Sequence, residues 1–280
     1  RMVLTNILIN EYCDYLRAEE KSKATIGKYR CDLCKFQEYL DGKEVSKSLV
    51  IEYKEYLLQK QCYEVSSINS YLTALNCFFE FMGWHDFKVK TCKVQKTAFA
   101  AESKYLTKDE YKRLVAAARK KGNMRLAFIL NTICATGIRI SELSSITAEG
   151  VKKGKIVIHN KGKIRTILIP VELQKKLKLY MIEKKIEQGA IFCTASGKTV
   201  DRSNIWREMK ALYAEADVDA EKIFPHNLRH LFAQCFYALK KDIATLADVL
   251  GHSSIETTRI YIRTTCEEHR KELELLGLVV

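Results

Sequence analysis

The chain has 280 residues, 47% of them apolar and 29% charged, enough for one large or two ordinary domains with buried cores, which argues against a disordered chain. Only 12 Gly and 2 Pro interrupt it, so collagenous or Pro-rich linker composition is excluded and a mostly helical protein is expected. A net charge of +13 points to a polyanion partner, nucleic acid before membrane, because no basic amphipathic helix with a bulky apolar face stands out; a solvated Lys-rich surface is the plain alternative.

The start reaches Glu11 too soon to hold a signal peptide, and no apolar run approaches the roughly eighteen residues of a membrane span, so a cytoplasmic protein is expected. Arg1 standing before Met2 reads as the trace of a longer chain or a tag, which leaves room for a segment ahead of it. Leu4 to Leu16 supplies a first, weak helix. After Ser22, the residues Ile26, Tyr29, Leu33, Phe36 and Leu40 recur at three and four positions, the apolar face of a helix that Asp41-Gly42 stops. Leu49 to Leu58 gives a third helix. From Ser66 or Ser67 as N-cap, Ile68, Tyr71, Leu72, Leu75, Phe78, Phe79 and Met82 form a broad stripe ending at Gly83. Four helices can close a core. Cys31 and Cys34 have the spacing of half a zinc site but sit inside an apolar helical pattern. Together with Cys62, Cys77, Cys134 and Cys235 they read as reduced, buried thiols.

Periodicity lapses after Lys88, so residues 1–87 are expected to form one domain, 88–103 a linker and 104–280 a second domain. Residues 1–90, 91–103 and 104–280 carry net charges of 0, +1 and +12; the second domain is the basic one. It opens with a capping box, Thr107 and Glu110, before a helix from Tyr111 to Lys121, and a helix from Met124 to Thr136 ends at Gly137. The period then changes to two. Lys155–His159 and Ile164–Ile169 flank Asn160-Lys161-Gly162-Lys163, the signature of a β-hairpin. Helices resume after Pro170, Ala190–Cys193 reads as a short strand, and the remainder is helical with a stop at Gly251.

Five segments of the basic domain hold polar groups that apolar context does not ask for. They contain Arg139 and Glu142 one turn apart after Gly137; Lys161 at the hairpin tip; His226 and Arg229 three residues apart on a helix starting near His226; His252 beside Gly251; and Tyr261 on a further helix. Taken singly, each has an ordinary structural explanation: a surface ion pair, a solvated turn lysine, a buried tyrosine with a satisfied hydroxyl. Taken together, Arg, Lys and His suit a phosphodiester that gains negative charge at a five-coordinate transition state, and Tyr supplies an oxygen nucleophile. No acidic cluster of two-metal character stands out, so the cations would stand in for a metal.

The order and spacing of these segments resemble the tyrosine recombinases, the phage-integrase and Xer-type site-specific recombinases. Thr136-Gly-Ile-Arg139-Ile-Ser-Glu142-Leu143 is similar to that family's first arginine box, His226-Asn-Leu-Arg229-His230 to its second, and Leu250-Gly-His252 with Tyr261 to its third histidine and nucleophile. The resemblance implies a mainly α protein with a small antiparallel β-sheet (α+β) in the catalytic domain, preceded by a core-binding, SAM-like helical bundle. It implies that Tyr261 attacks DNA to form a 3'-phosphotyrosyl bond and that Arg139 and Arg229 clamp the phosphate. His226 would take the tyrosine proton, Lys161 (with Lys163 as second choice) would protonate the leaving oxygen, His252 would donate to the phosphate, and Glu142 would orient the set. No cofactor or metal is implied. The implied partners are double-stranded recombination sites, three further protomers on DNA joined through an apolar tail at residues 273–280, and accessory DNA-bending or directionality proteins. A nucleoid location follows, with strand exchange through a Holliday junction in element integration and excision or in replicon resolution. A type IB topoisomerase and a non-catalytic DNA-binding regulator are the competing readings; the regulator would not need the five segments.

Overall fold

The computed structural model describes residues 2–60, 62–93, 104–160, 163–194 and 196–261, without the side chains of Asn160 and Lys163. Lys161, residues 94–103 of the expected linker and the tail after Tyr261 lie outside the described residues. The chain divides into two compact units, Arg1–Lys96 and Thr97–Val280.

The first unit holds α1 (Asn6–Ala18), α2 (Lys23–Leu40), α3 (Lys47–Gln59) and α4 (Val65–Phe81), followed by a 3-10 turn at His85–Phe87. Ser22 caps α2 through a bond from the Thr25 amide, and Asp41 ends it in the left-handed region at φ 46°. The expected cap of α4 is displaced. Glu64 occupies the N-cap position without a side-chain bond, and Ser66 and Ser67 fall inside the first turn. Leu33, Phe36, Leu72, Leu75, Phe78 and Phe79 are buried at the centre, as their spacing requires. The thiols are a correction: among the described cysteines only Cys13 is fully buried, while Cys31, Cys62 and Cys77 are exposed and all are free. Cys31 and Cys77 each stand two positions before a core residue, Leu33 and Phe79, and two helical steps turn a side chain about 200° away.

Residues 88–92, where periodicity lapses, run along α4. The Asn76 carboxamide accepts from the Val89 amide at 2.9 Å and donates to its carbonyl at 2.8 Å, and Asn69 makes the same pair with Cys92 at 2.7 and 2.9 Å. Seven helical residues span about 10.5 Å and three extended residues about 10 Å, so the two asparagines match the strand's repeat.

The second unit contains α5 (Lys108–Lys120), α6 (Met124–Thr136), a 3-10 turn at Ile140–Ser145, α7 (Ala148–Lys153), β1 (Lys155–Asn160), β2 (Lys163–Leu168), α8 (Val171–Glu183), α9 (Arg202–Lys210), α10 (Tyr213–Ala216), a 3-10 turn at Ala220–Lys222, α11 (Pro225–Lys240), α12 (Ile243–Leu250) and α13 (Ile255–Arg259). The capping box of α5 is present, with Thr107 Oγ1 accepting from Glu110 N at 3.2 Å and Glu110 Oε2 accepting from Thr107 N at 2.7 Å. Apolar nearly all round, α6 is the central helix, packed by α5, α8, α9 and α11. The strands pair antiparallel with Ile156 opposite Ile167 and Ile158 opposite Arg165. Ile156, Ile158 and Ile167 face inward, Val157, Ile164 and Leu168 outward. Two further expectations are corrected. Ala190 and Cys193 form isolated bridges to Thr147 and Thr199 instead of a strand, because each meets a different partner and no ladder continues. Tyr261 lies just past the end of α13, in a turn where its amide donates to Thr258 O at 3.0 Å. The architecture is mainly helical with one small antiparallel hairpin. No helix among the described residues is long and apolar enough to cross a membrane.

Candidate active site

Two helix ends build the floor of the site. Gly137 closes α6 at φ +65° and Gly251 closes α12 at φ +65°, a conformation that costs glycine little and other residues more. Gly137 is required twice over, because a methyl group there would lie 2.5 Å from the Phe232 ring of α11. Carbonyls of both ends point at cations: Gly137 O accepts from Arg229 Nη1, Leu250 O from Arg229 Nη2 at 2.8 Å and from Arg165 Nη1, and Gly251 O from Arg139 Nη2 at 3.4 Å. These last-turn carbonyls have no partner within their helices and carry the negative end of the helix dipole.

Pro225 opens α11 and sets His226 and Arg229 one turn apart on the same face. Arg229 is 2% exposed, and burial, then Arg139, pushes its guanidinium down to about 10 while Tyr261 works the other way. Glu142, 5% exposed, accepts from the Arg139 amide at 2.9 Å and from Arg139 Nη1 at 3.1 Å. It also accepts from Arg165 Nη2 at 2.6 Å. Arg139 and Arg165 therefore share one carboxylate and Arg229 is held by backbone carbonyls, an excess of two positive charges in a partly desolvated place.

The imidazoles of His226 and His252 are both held below the usual histidine range. His252 is pushed down to about 4 by burial, then by Arg229, Arg139 and Arg165. His226 is held below the usual histidine range by loss of water around the ring, then by Arg229 and Arg139. The tautomer of His252 follows from its partners: a guanidinium can only donate, so Nε2 accepts from Arg229 Nη2 at 3.0 Å and Nδ1–H donates to Thr258 Oγ1 at 2.8 Å. The Tyr261 side chain, 2% exposed, lies among three imidazoles with ring centroids 5.5 Å from His226, 5.2 Å from His230 and 5.7 Å from His252. Its hydroxyl stands 3.2 Å from His226 Nε2.

Arg139, Glu142, His226, Arg229, His252 and Tyr261 thus come together from four separate segments. Lys161 lies outside the described residues; Lys163 opens β2, opposite Asn160. His230 packs behind the site, stacked on Tyr105 at 3.9 Å, while His159 and His85 are exposed. Two residues are added to those read from the sequence. Arg165 belongs to the site, and alternation along β2 signals it, since it is a charged residue that shares the inward face with Ile167. Thr258, fully buried under His252, carries no comparable signal in its polar run.

Residues 104–268 match the Phage integrase family, and residues 9–86 match the phage integrase N-terminal SAM-like domain. The chain belongs to the phage integrase family, the tyrosine recombinases. Among its curated relatives, tyrosine recombinase XerA of Pyrococcus furiosus is 30% identical, covering 99% of this chain and 96% of its own length. Tyrosine recombinase XerD of Staphylococcus epidermidis is 25% identical over 95% and 97%. The crystal structure of XerA recombinase is 26% identical with a TM-score of 0.54 over 99% of this chain and 100% of its own. XerH site-specific recombinase bound to palindromic difH substrate, in a post-cleavage complex, shares the fold at 18% identity, with a TM-score of 0.75 over 96% and 84%.

Proposed function

We propose that this protein is a site-specific DNA recombinase that breaks and rejoins strands through Tyr261. The observation that carries the reading is the Tyr261 hydroxyl at 3.2 Å from His226 Nε2, beside arginines whose positive charge exceeds that of their one carboxylate. A tyrosine so placed is a nucleophile with its base already in hydrogen-bond reach, and the surplus charge suits a phosphodiester approaching its transition state.

In the proposed step Tyr261 Oη attacks the scissile phosphorus and its proton passes to His226 Nε2. The 5'-oxygen departs with a proton from Lys161, whose role rests on the family resemblance. One phosphoester bond breaks and one forms, so the 3'-phosphotyrosyl link keeps the bond energy. The 5'-hydroxyl of a partner strand then attacks that phosphorus and gives its proton to Lys161, while the departing Tyr261 oxygen recovers its proton from His226. Arg139 and Arg229 clamp the non-bridging oxygens with planar forks. His252, held beside Arg229, donates to the phosphate, a role that rests on the family resemblance. Exchange between two duplexes uses four protomers and passes through a Holliday junction. The first unit acts as the core-binding domain on the DNA. Integration and excision of an element, or resolution of a replicon, are the tasks this chemistry serves.

The test is a plasmid carrying two copies of the site, mapped first by cleavage, incubated with protein in excess EDTA. Exchange of the flanking sequences is expected, because side chains meet the charge at phosphorus. Relaxation alone would indicate a topoisomerase, and loss of cleavage under chelation a metal-dependent nuclease.

A further inference from the structure

We propose that Arg165 is a positioning residue that locks both phosphate-clamping arginines into one arrangement. The inference rests on the recombinase reading above and extends it to a residue outside the five segments.

Arg165 is anchored in β2 on the face that turns into the core, opposite Ile158. Its two terminal nitrogens go to different supports. Nη2 donates to Glu142 Oε2 at 2.6 Å, and the other oxygen of that carboxylate holds Arg139 Nη1 at 3.1 Å. Nη1 donates to Leu250 O, the carbonyl that also receives Arg229 Nη2 at 2.8 Å. One guanidinium therefore braces the carboxylate behind Arg139 and the helix end behind Arg229. The fork is planar and rigid, so fixing one branch fixes the other. Gly251 makes room for it: a methyl group there would lie 2.5 Å from Arg165 Nη1 and 2.6 Å from its Cδ. The contact has a chemical logic. Arg139 and Arg229 repel each other with too little carboxylate to balance them, and a third arginine bonded to their supports, rather than to them, holds those supports without adding a second carboxylate that would weaken the field at the phosphate.

A lysine at this position keeps the charge but reaches only one support. Arg165→Lys should slow single-turnover cleavage of a nicked suicide substrate about tenfold to a hundredfold, the scale of a sub-ångström to ångström misplacement of a catalytic group. Binding to a single site should stay within about threefold, since uniform binding does not depend on this alignment. Gly251→Ala, which crowds the same guanidinium, should show the same pattern.

Three substrates separate the causes. A methylphosphonate at the scissile position removes one negative charge and with it much of the need for aligned arginines, so it should narrow the gap between wild type and both variants. Equal deficits on ordinary, methylphosphonate and 5'-bridging sulfur substrates would mean that Arg165 serves only the fold. Rescue by sulfur alone would mean that it acts through the leaving-group proton. An unchanged rate in Arg165→Lys would also overturn the assignment. Absence of any covalent product with the wild-type protein would instead reject the recombinase reading itself.

Discussion

Side chains in this site are positioned by groups that have few other partners. The carbonyls at the ends of α6 and α12 would be unpaired without the arginines, and the buried Glu142 would be an uncompensated charge without Arg139 and Arg165. Histidines meet the opposite condition. His230 and His252 both stand at about 4 in the folded protein, far below the 6.5 of a free side chain, the first cause in each being burial. The unfolded chain therefore takes up protons between pH 6.5 and about 4 that the folded chain refuses, and stability falls as pH drops through that window. Thermal unfolding of the DNA-free protein at pH 7, 6 and 5 should show a declining midpoint. His230→Gln should flatten the decline by close to one proton's worth; an unchanged slope would contradict the assignment of His230 as a buried neutral ring. At this scale the sequence was readable where a polar residue stood against its pattern. Arg139, Glu142, His226, Arg229, His252 and Tyr261 declare themselves next to glycine stops and at one-turn spacings, whereas Arg165 declares itself only through the alternation of β2. Thr258 is silent, because a threonine among polar neighbours looks the same whether or not an imidazole lies above it.

Helices with a clean apolar stripe were legible with their ends, α6 and its stop at Gly137 above all, because the helical period and the cap are both written in local sequence. Boundaries went astray where tertiary partners decide. Ser66 and Ser67 are good caps, yet α4 starts before them. Residues 88–92 look like linker because their amides are met by Asn69 and Asn76 from another element rather than by a repeat of their own. That clamp has a measurable value. Asn76→Ala removes the partners of both backbone groups of the buried Val89 and should lower unfolding free energy by about 1–3 kcal/mol, the cost of leaving such groups unpaired. Denaturant unfolding of the full chain followed by tryptophan fluorescence would read this from Trp84, which packs on Phe78 and Phe79. A change below about 0.5 kcal/mol, the level of an ordinary surface substitution, would show that the segment is not held by the asparagine.

Over the whole chain, charge and chemistry coincide: residues 104–280 carry +12 and contain the arginine–histidine–tyrosine cluster, while residues 1–90, with 13 Lys and Arg against 13 Asp and Glu, carry no net charge. Affinity for DNA should therefore fall steeply and linearly with salt on logarithmic axes, as displaced counterions return to the phosphates. A filter-binding series from about 50 to 200 mM salt measures the slope, and a flat dependence would count against the basic unit as the DNA-facing one. Fold class and family were legible from the sequence because the five segments are each local; their convergence was not, since Gly137, Arg229 and Leu250 meet only in three dimensions. The most direct measurement is covalent trapping on a nicked suicide substrate, followed by nuclease digestion and mass spectrometry of the linked peptide. The expected result is a nucleotide joined by its 3'-phosphate to Tyr261, with no adduct from Tyr261→Phe, which removes only the attacking oxygen and should still bind DNA. A 5' linkage, attachment at another residue, or an adduct that survives in Tyr261→Phe would contradict the account.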